Sequence, residues 1–232
     1  MDILALEHAP NRGDGIQASL ELENEDISLA IKPLYEKDIS LPSLELVDAI
    51  ILSGGPMGVY ELNNPEYEYI RQEMLYLEKA IELKKPILGI CFGHQLLAHI
   101  FGADVKRVEK KKEVGWFDVD ITDSNSPLFK SMGTQLRVFE FHNDQILVPP
   151  SDTKVVASTE LCPIQALTYD NHPIYSVQFH PEIDESLGVQ ILEKFAKDVS
   201  LEDRTPKSDI TTRKEIFSNF VCIAKKQMQE GL

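Results

Sequence analysis

Cys91 stands in the run Gly89-Ile90-Cys91-Phe92-Gly93. A thiol with glycines two residues before and after it suits a tight strand-to-helix elbow, the device that presents the nucleophile of G-x-S-x-G hydrolases. Pro86 to Ile90 reads as a short buried strand, and Gln95 onward as a helix with an apolar face. The amino end of such a helix points its unpaired amides at the sulfur and favours thiolate over thiol. A cysteine merely packed between strand and helix is the competing reading, and the paired glycines weigh against it. Two further runs carry chemistry. In Ser176-Val-Gln-Phe-His180-Pro-Glu182, the histidine ends an apolar strand and Pro181 holds it extended. Residues i and i+2 of extended backbone point the same way, so Glu182 can fix the His180 tautomer and stabilise its cation. A surface pair is the alternative. Ser53-Gly54-Gly55-Pro56 stops the apolar run Ala49 to Leu52. Open α/β sheets place their sites at such carboxyl ends, and amides in a Gly-Gly turn can hold an oxyanion. A plain tight turn would also use these residues.

The elements around these runs alternate through the first hundred residues. Asp2 to His8 reads as a strand, and the Gly-containing loop after it leads into a polar helix. The Ala49 to Leu52 strand follows, then a helix of about five turns opened by Pro65, then the strand and helix around Cys91. Strands alternating with helices predict βα units and a largely parallel sheet. Beyond Gly102 the runs are short, β-rich and separated by Pro, Gly, Asn and Asp, which predicts hairpins and returning strands. A helix is expected within Asp184 to Val199, a polar linker over Ser200 to Arg213, and a last amphipathic helix with Ile216, Phe220, Ile223 and Ala224 on one face. The expected organisation is one domain over 1–200, with 201–232 a linker and a helix packed on it.

As a set, in this order, the three runs resemble the class I, triad-type, glutamine amidotransferases, which carry S-G-G-P, G-I-C-x-G-x-Q and H-P-E. Gly55 and Cys91 lie 36 residues apart, and Cys91 and His180 lie 89 apart. The resemblance spans about Leu4 to Phe195. It is closest to the stand-alone, GMP synthase-like members, through "GGPMGVY", "KEVGW" (Lys112 to Trp116) and "FHNDQILVPP". It implies a flavodoxin-like α/β fold: a central, mostly parallel sheet flanked by helices, with β-hairpin additions and a C-terminal helix. It implies Cys91 as nucleophile, His180 as acid and base, and Glu182 as the orienting carboxylate. The backbone amides of Gly55 and Phe92 would form the oxyanion hole, and Gly54, Gln95 and His142 would contact substrate. Asp144 would lie near the pocket or serve its loop structurally. The implied chemistry is hydrolysis of the glutamine γ-carboxamide through a γ-glutamyl thioester, with no metal and no cofactor.

No G-x-x-x-x-G-K-[ST] phosphate loop is present, so any ATP-using half is expected on a separate synthetase chain. Three readings stay open: an ammonia-supplying glutaminase, a self-sufficient hydrolase of γ-glutamyl peptides or conjugates, and a silent regulatory subunit. Intact Cys91, His180 and Glu182 weigh against the last. The net charge of −15 argues against binding nucleic acid or an anionic membrane surface. Three scattered cysteines form no disulfide framework and suit a reducing, cytoplasmic setting. No signal peptide or transmembrane run is evident. Cys162 and Cys222 are expected to be core thiols. His8 and His172 have no partner by spacing, and His94 and His99, five apart, cannot share a helix face for a metal. The basic island of Lys106, Arg107, Lys110, Lys111 and Lys112 reads as a solvated loop, or as a site for an anionic substrate or acidic partner.

Overall fold

The structure, a computed structural model, describes residues 1–21, 26–36, 39–62, 64–108, 113–196, 199–205 and 210–230. In chain order the elements begin β1 (Asp2–Glu7), α1 (Arg12–Glu21), β2 (Ser28–Pro33), β3 (Ala49–Leu52), α2 (Glu68–Glu82), β4 (Ile87–Ile90) and α3 (Phe92–Ile100). Next come β5 (Val105–Arg107), β6 (Val114–Ile121), β7 (Gln135–Phe141), β8 (Asp144–Ile146), β9 (Thr153–Ser158), β10 (Ala166–Tyr169) and β11 (Ile174–Val177). The chain closes with α4 (Glu185–Phe195), α5 (Leu201–Arg204) and α6 (Ile210–Glu230).

The main sheet has the order β2-β1-β3-β4-β11-β10-β9-β6-β7, and β5 pairs with β8 as a separate ribbon. Its first five strands are parallel, and the remaining four add on antiparallel. The parallel half has the flavodoxin-like order, with β11 as its fifth strand. β1 shows why the run is apolar throughout. Ile3 and Ala5 face a cluster with Ile16 of α1 and Ile216, Phe217 and Phe220 of α6. Leu4 and Leu6 face another with Ile70 and Leu77 of α2 and Leu96 and Leu97 of α3. A strand buried on both faces has no polar side to alternate with. A third cluster packs Ile191 and Leu192 of α4 on Trp116 and Phe139. No described helix is long and apolar enough to cross a membrane.

Several expectations need correction. β2 was not foreseen: its burial alternates only weakly because it is the sheet edge. Pro65 opens a short 3-10 turn, capped by the Asn64 side chain, and α2 begins only at Glu68. The polar stretch read as a linker holds α5 and the first turn of α6. The buried face of α6 is Ile216, Phe217, Phe220, Val221 and Ala224, whereas Ile223 is half-buried. Asn219 Nδ2 fastens that helix by donating to the carbonyls of Leu128 and Lys130, at 2.9 and 3.1 Å. Cys222 is exposed, not a core thiol, because it lies on the opposite side of α6. Of the basic island, Lys106 and Arg107 lie in β5, and Lys106 makes an exposed pair with Asp104. Lys110, Lys111 and Lys112 lie outside the described residues.

One close approach sets the position of α3. A Cβ built on Gly93 would lie 2.5 Å from Leu52 Cβ and 2.7 Å from the Leu52 carbonyl oxygen. Neither atom is the end of a flexible side chain, so only glycine lets α3 start so near β3. Gly93→Ala is expected to destabilise the fold by about 1–3 kcal/mol through overpacking. Urea denaturation checks this, and an unchanged midpoint would refute the contact.

Candidate active site

The carboxyl ends of β1, β3, β4 and β11 converge, and each contributes one of the residues described next. Cys91 follows β4 with φ 51° and ψ −101°. A non-glycine residue at positive φ is strained, by about 1–3 kcal/mol, and needs surroundings that hold it. Two hydrogen bonds do so. The Cys91 amide donates to the Val177 carbonyl at 2.8 Å, and the Gly93 amide donates to the Ser53 carbonyl at 3.3 Å. The elbow is thus tied to β11 on one side and to the turn after β3 on the other.

His180 follows β11, and its amide donates to the Phe139 carbonyl at 2.8 Å. Its Nδ1 lies 2.7 Å from Glu182 Oε1. Cys91 is the other group acting on this ring, by its charge and a side-chain hydrogen bond. Cys91, His180 and Glu182 are 5%, 3% and 2% exposed, so the three form a buried, continuous chain. Burial alone would push His180 down, but the charges of Glu182 and Cys91 outweigh it and raise its pKa to about 10. Burial likewise pushes the Glu182 carboxyl up, and the His180 charge and hydrogen bond win and hold it below its ordinary value. Gly54 packs directly on this chain: a Cβ there would lie 2.7 Å from His180 Cε1 and 3.4 Å from Cys91 Cβ. Phe92 is the first residue of α3, so its amide has no partner within the helix.

The remaining sequence candidates divide. Gln95 is buried, and its Nε2 donates to the Asp144 carbonyl and to Gln178 Oε1, each at 3.0 Å. His142 has both nitrogens engaged: Nδ1 faces the Asp144 carbonyl at 3.1 Å, and Nε2 faces Glu113 at 3.2 Å and Glu140 at 3.4 Å. Asp144 accepts from the exposed Tyr60 hydroxyl at 3.1 Å. Spacing gave no sign of a partner for His8, yet its Nε2 lies 2.9 Å from Glu73, 65 residues away, inside the core. His172 stacks its edge on Phe101.

Glu113, His142 and Cys162 form a second Cys-His-Glu group, with ligand atoms within 4.8 Å of one another. Its chemistry differs from that at Cys91. Cys162 is on no elbow, burial raises its thiol well above the ordinary value, and its Sγ faces the Ile164 carbonyl at 3.5 Å. Glu113 already accepts from the Thr159 hydroxyl and from Gln165 Nε2, at 2.5 and 2.9 Å. Burial, and then the neighbouring Glu113 charge, push the Glu140 carboxyl well above its usual range. Nothing in the spacing of these residues marks them, because strands β6, β7 and β10 bring them together.

Two histidines should shape stability in opposite pH ranges. His180 titrates at about 10 when folded and near 6.5 when unfolded, so its contribution is complete below 6.5 and lost as pH rises through 10. His94, buried against Ser176 Oγ at 2.7 Å, has its pKa pushed down by burial to about 3. Its unfolded form takes up a proton below 6.5 that the folded form refuses, so stability falls as pH drops from 6.5 towards 3. Each limb has a slope of up to about 1.4 kcal/mol per pH unit for one proton. Denaturation across pH should show His94→Asn flattening the acid limb only, whereas Glu182→Gln flattens the alkaline limb and also removes the carboxylate's own loss of stability below its unfolded value of 4.5. An alkaline limb unchanged in Glu182→Gln, or changed in His94→Asn, would refute the assignment.

Residues 16–199 match the family model described as glutamine amidotransferase class-I. The chain is 38% identical over 153 residues to a glutamine-hydrolyzing GMP synthase subunit from Saccharolobus solfataricus, an alignment covering 66% of this chain and 77% of that protein. It is 41% identical over 143 residues to the like-named protein from Pyrococcus abyssi, covering 61% and 75%. A solved glutamine amidotransferase from Thermotoga maritima superposes with a TM-score of 0.78 over 98% of this chain and 97% of its own, at 24% identity, and so speaks for the fold alone. With four sheet ends converging on a buried cysteine elbow, and a family match across most of its length, this chain belongs to the class I glutamine amidotransferases.

Proposed function

We propose that this protein hydrolyses the γ-carboxamide of glutamine to glutamate and ammonia, with any synthetase that uses the ammonia on a separate chain. The observation that carries this reading is the buried chain from the strained Cys91 through His180 to Glu182. In the proposed cycle the Cys91 sulfur attacks the carboxamide carbon while the proton it gives up rests on His180. The electron pair displaced onto oxygen is held by the amides of Gly55 and Phe92. His180 then gives its proton to the nitrogen, ammonia leaves, and a γ-glutamyl thioester remains. Water loses a proton to the same imidazole, attacks the thioester carbon and expels the Cys91 sulfur, which recovers that proton. Glu182 keeps Nδ1 protonated throughout, so Nε2 is the nitrogen that exchanges. Gln95 donates its amide hydrogens to Asp144 and Gln178 and offers its carbonyl oxygen to substrate. Gly54 and His142 would complete the binding surface. The relatives named as glutamine-hydrolyzing subunits of GMP synthase support a partner that supplies the ATP-dependent half.

A second reading, a self-sufficient γ-glutamyl peptide or conjugate hydrolase, is favoured by one observation. Nucleophile, imidazole, carboxylate and turn are in contact within the single chain. Purified protein incubated with glutamine and with γ-glutamyl dipeptides distinguishes the two by which substrate gives the larger kcat/KM. In either case Cys91→Ala should be inactive. His180→Ala should lose about a thousandfold or more in kcat, and Glu182→Ala a smaller factor. A diazoketone analogue of glutamine should label Cys91. Labelling of Cys162 instead would transfer the reaction to the second Cys-His-Glu group and overturn the proposal.

A further inference from the structure

His8 follows β1 and reaches under the turn after β3. Its side chain and that of Glu73 are wholly buried. Nε2 lies 2.9 and 3.0 Å from the two carboxylate oxygens of Glu73. Nδ1 lies 3.0 Å from the Ser53 carbonyl and 3.3 Å from Ser53 Oγ. The Ser53 hydroxyl gives its one proton to the Gly54 carbonyl at 2.9 Å, and its oxygen accepts the His8 amide at 3.0 Å. The oxygens of Ser53 that face Nδ1 are acceptors, so Nδ1 is the nitrogen that donates to the turn, while Nε2 is tied to Glu73.

His8 also packs on both residues whose amides are proposed for the oxyanion. It meets the Phe92 ring edge-on, with centroids 4.8 Å apart. A Cβ built on Gly55 would lie 2.8 Å from His8 Cβ. Ser53, held from below by His8, accepts from the Gly93 amide at its carbonyl, so the same lattice reaches the first turn of α3.

We infer that His8, anchored by Glu73, is a positioning residue that fixes the Ser53–Gly55 turn against Phe92 and so sets the spacing of the two oxyanion amides. The inference rests on the glutaminase reading above. It assigns His8 no contact with substrate. Loss of its Nδ1 donor should leave the turn and Phe92 free to separate, weakening the hole while Cys91 and His180 stay in place.

The test separates oxyanion stabilisation from thiol reactivity. The aldehyde analogue of glutamine adds Cys91 across its carbonyl: a C–S bond forms, the π pair moves to oxygen, and oxygen takes the thiol proton. Its affinity depends on the hole, whereas alkylation of Cys91 by iodoacetamide forms no oxyanion. His8→Phe keeps the ring contact with Phe92 and removes the donor. It should lower kcat and aldehyde affinity together by about 10–100-fold, with KM within about threefold and the alkylation rate within about twofold. His8→Asn, which can still donate from Nδ2 to the Ser53 carbonyl, should recover both to within about tenfold of wild type. If His8→Phe does not fold, His8→Asn carries the test alone, with a smaller loss confined to the same two readouts. Wild-type kcat and aldehyde affinity in a folded His8→Phe would overturn the inference, as would alkylation and kcat falling in parallel in either variant. A wild-type protein that forms no aldehyde adduct at Cys91 overturns the glutaminase reading itself, and this inference with it.

Discussion

Helix α3 can follow β4 only by starting in contact with the end of β3. Because Gly93 meets Leu52 with no room for a side chain, the elbow, the end of β3 and the turn at Ser53–Gly55 behave as one rigid piece. His180 is then set against Gly54, and Glu182 against His180. Each of these residues has its position decided by backbone packing before any side-chain chemistry begins. The strain at Cys91 persists for the same reason: relaxing φ there would break the bond to Val177 and lift the helix from Leu52.

Buried imidazoles recur around this piece, and their surroundings separate them. His180 has a carboxylate on one side and a thiol on the other, and its charge can move. His8 is held between the Ser53 carbonyl and the Glu73 carboxyl group. His142 lies between Glu113 and Glu140, in a network closed by Thr159 and Gln165. His94 faces a hydroxyl and no carboxylate, and burial holds its pKa down to about 3. His94 and His180 are both wholly buried, and the neighbouring group decides in which direction each is shifted. The same comparison separates the two buried cysteines: Cys91 has an imidazole beside it, while Cys162 has a carbonyl and nearby acids.

What the sequence made legible follows from range. The elbow, the turn and the His180–Glu182 pair are each encoded within seven residues, where glycine spacing and the two-residue period of a strand act directly. The βα alternation was equally plain, because four-residue apolar runs such as Ala49 to Leu52 have few other uses. His8–Glu73 was hidden because a strand end and a helix 65 residues later meet only in the folded sheet. β2 was hidden because an edge strand carries half the burial signal of a central one. On α6, a window of four apolar positions located the face but shifted it, since the helix buries pairs of adjacent residues against both α1 and the Pro127–Phe129 turn.

The bond from Cys91 to Val177 also imposes an order in time. Ile90 pairs with Val177 in the sheet, and the elbow is held only once that pairing exists. On a ribosome making about 5–20 residues per second, Cys91 precedes Val177 by roughly 4–17 seconds. Throughout that interval the nascent chain carries a cysteine with no elbow, no imidazole and no amide cradle. Strand β4 stays unpaired on one side for as long, and such non-local closure is slow. An unfinished or truncated chain therefore exposes a thiol of ordinary reactivity. The arrival of β11 completes the sheet and the reactive centre in one event.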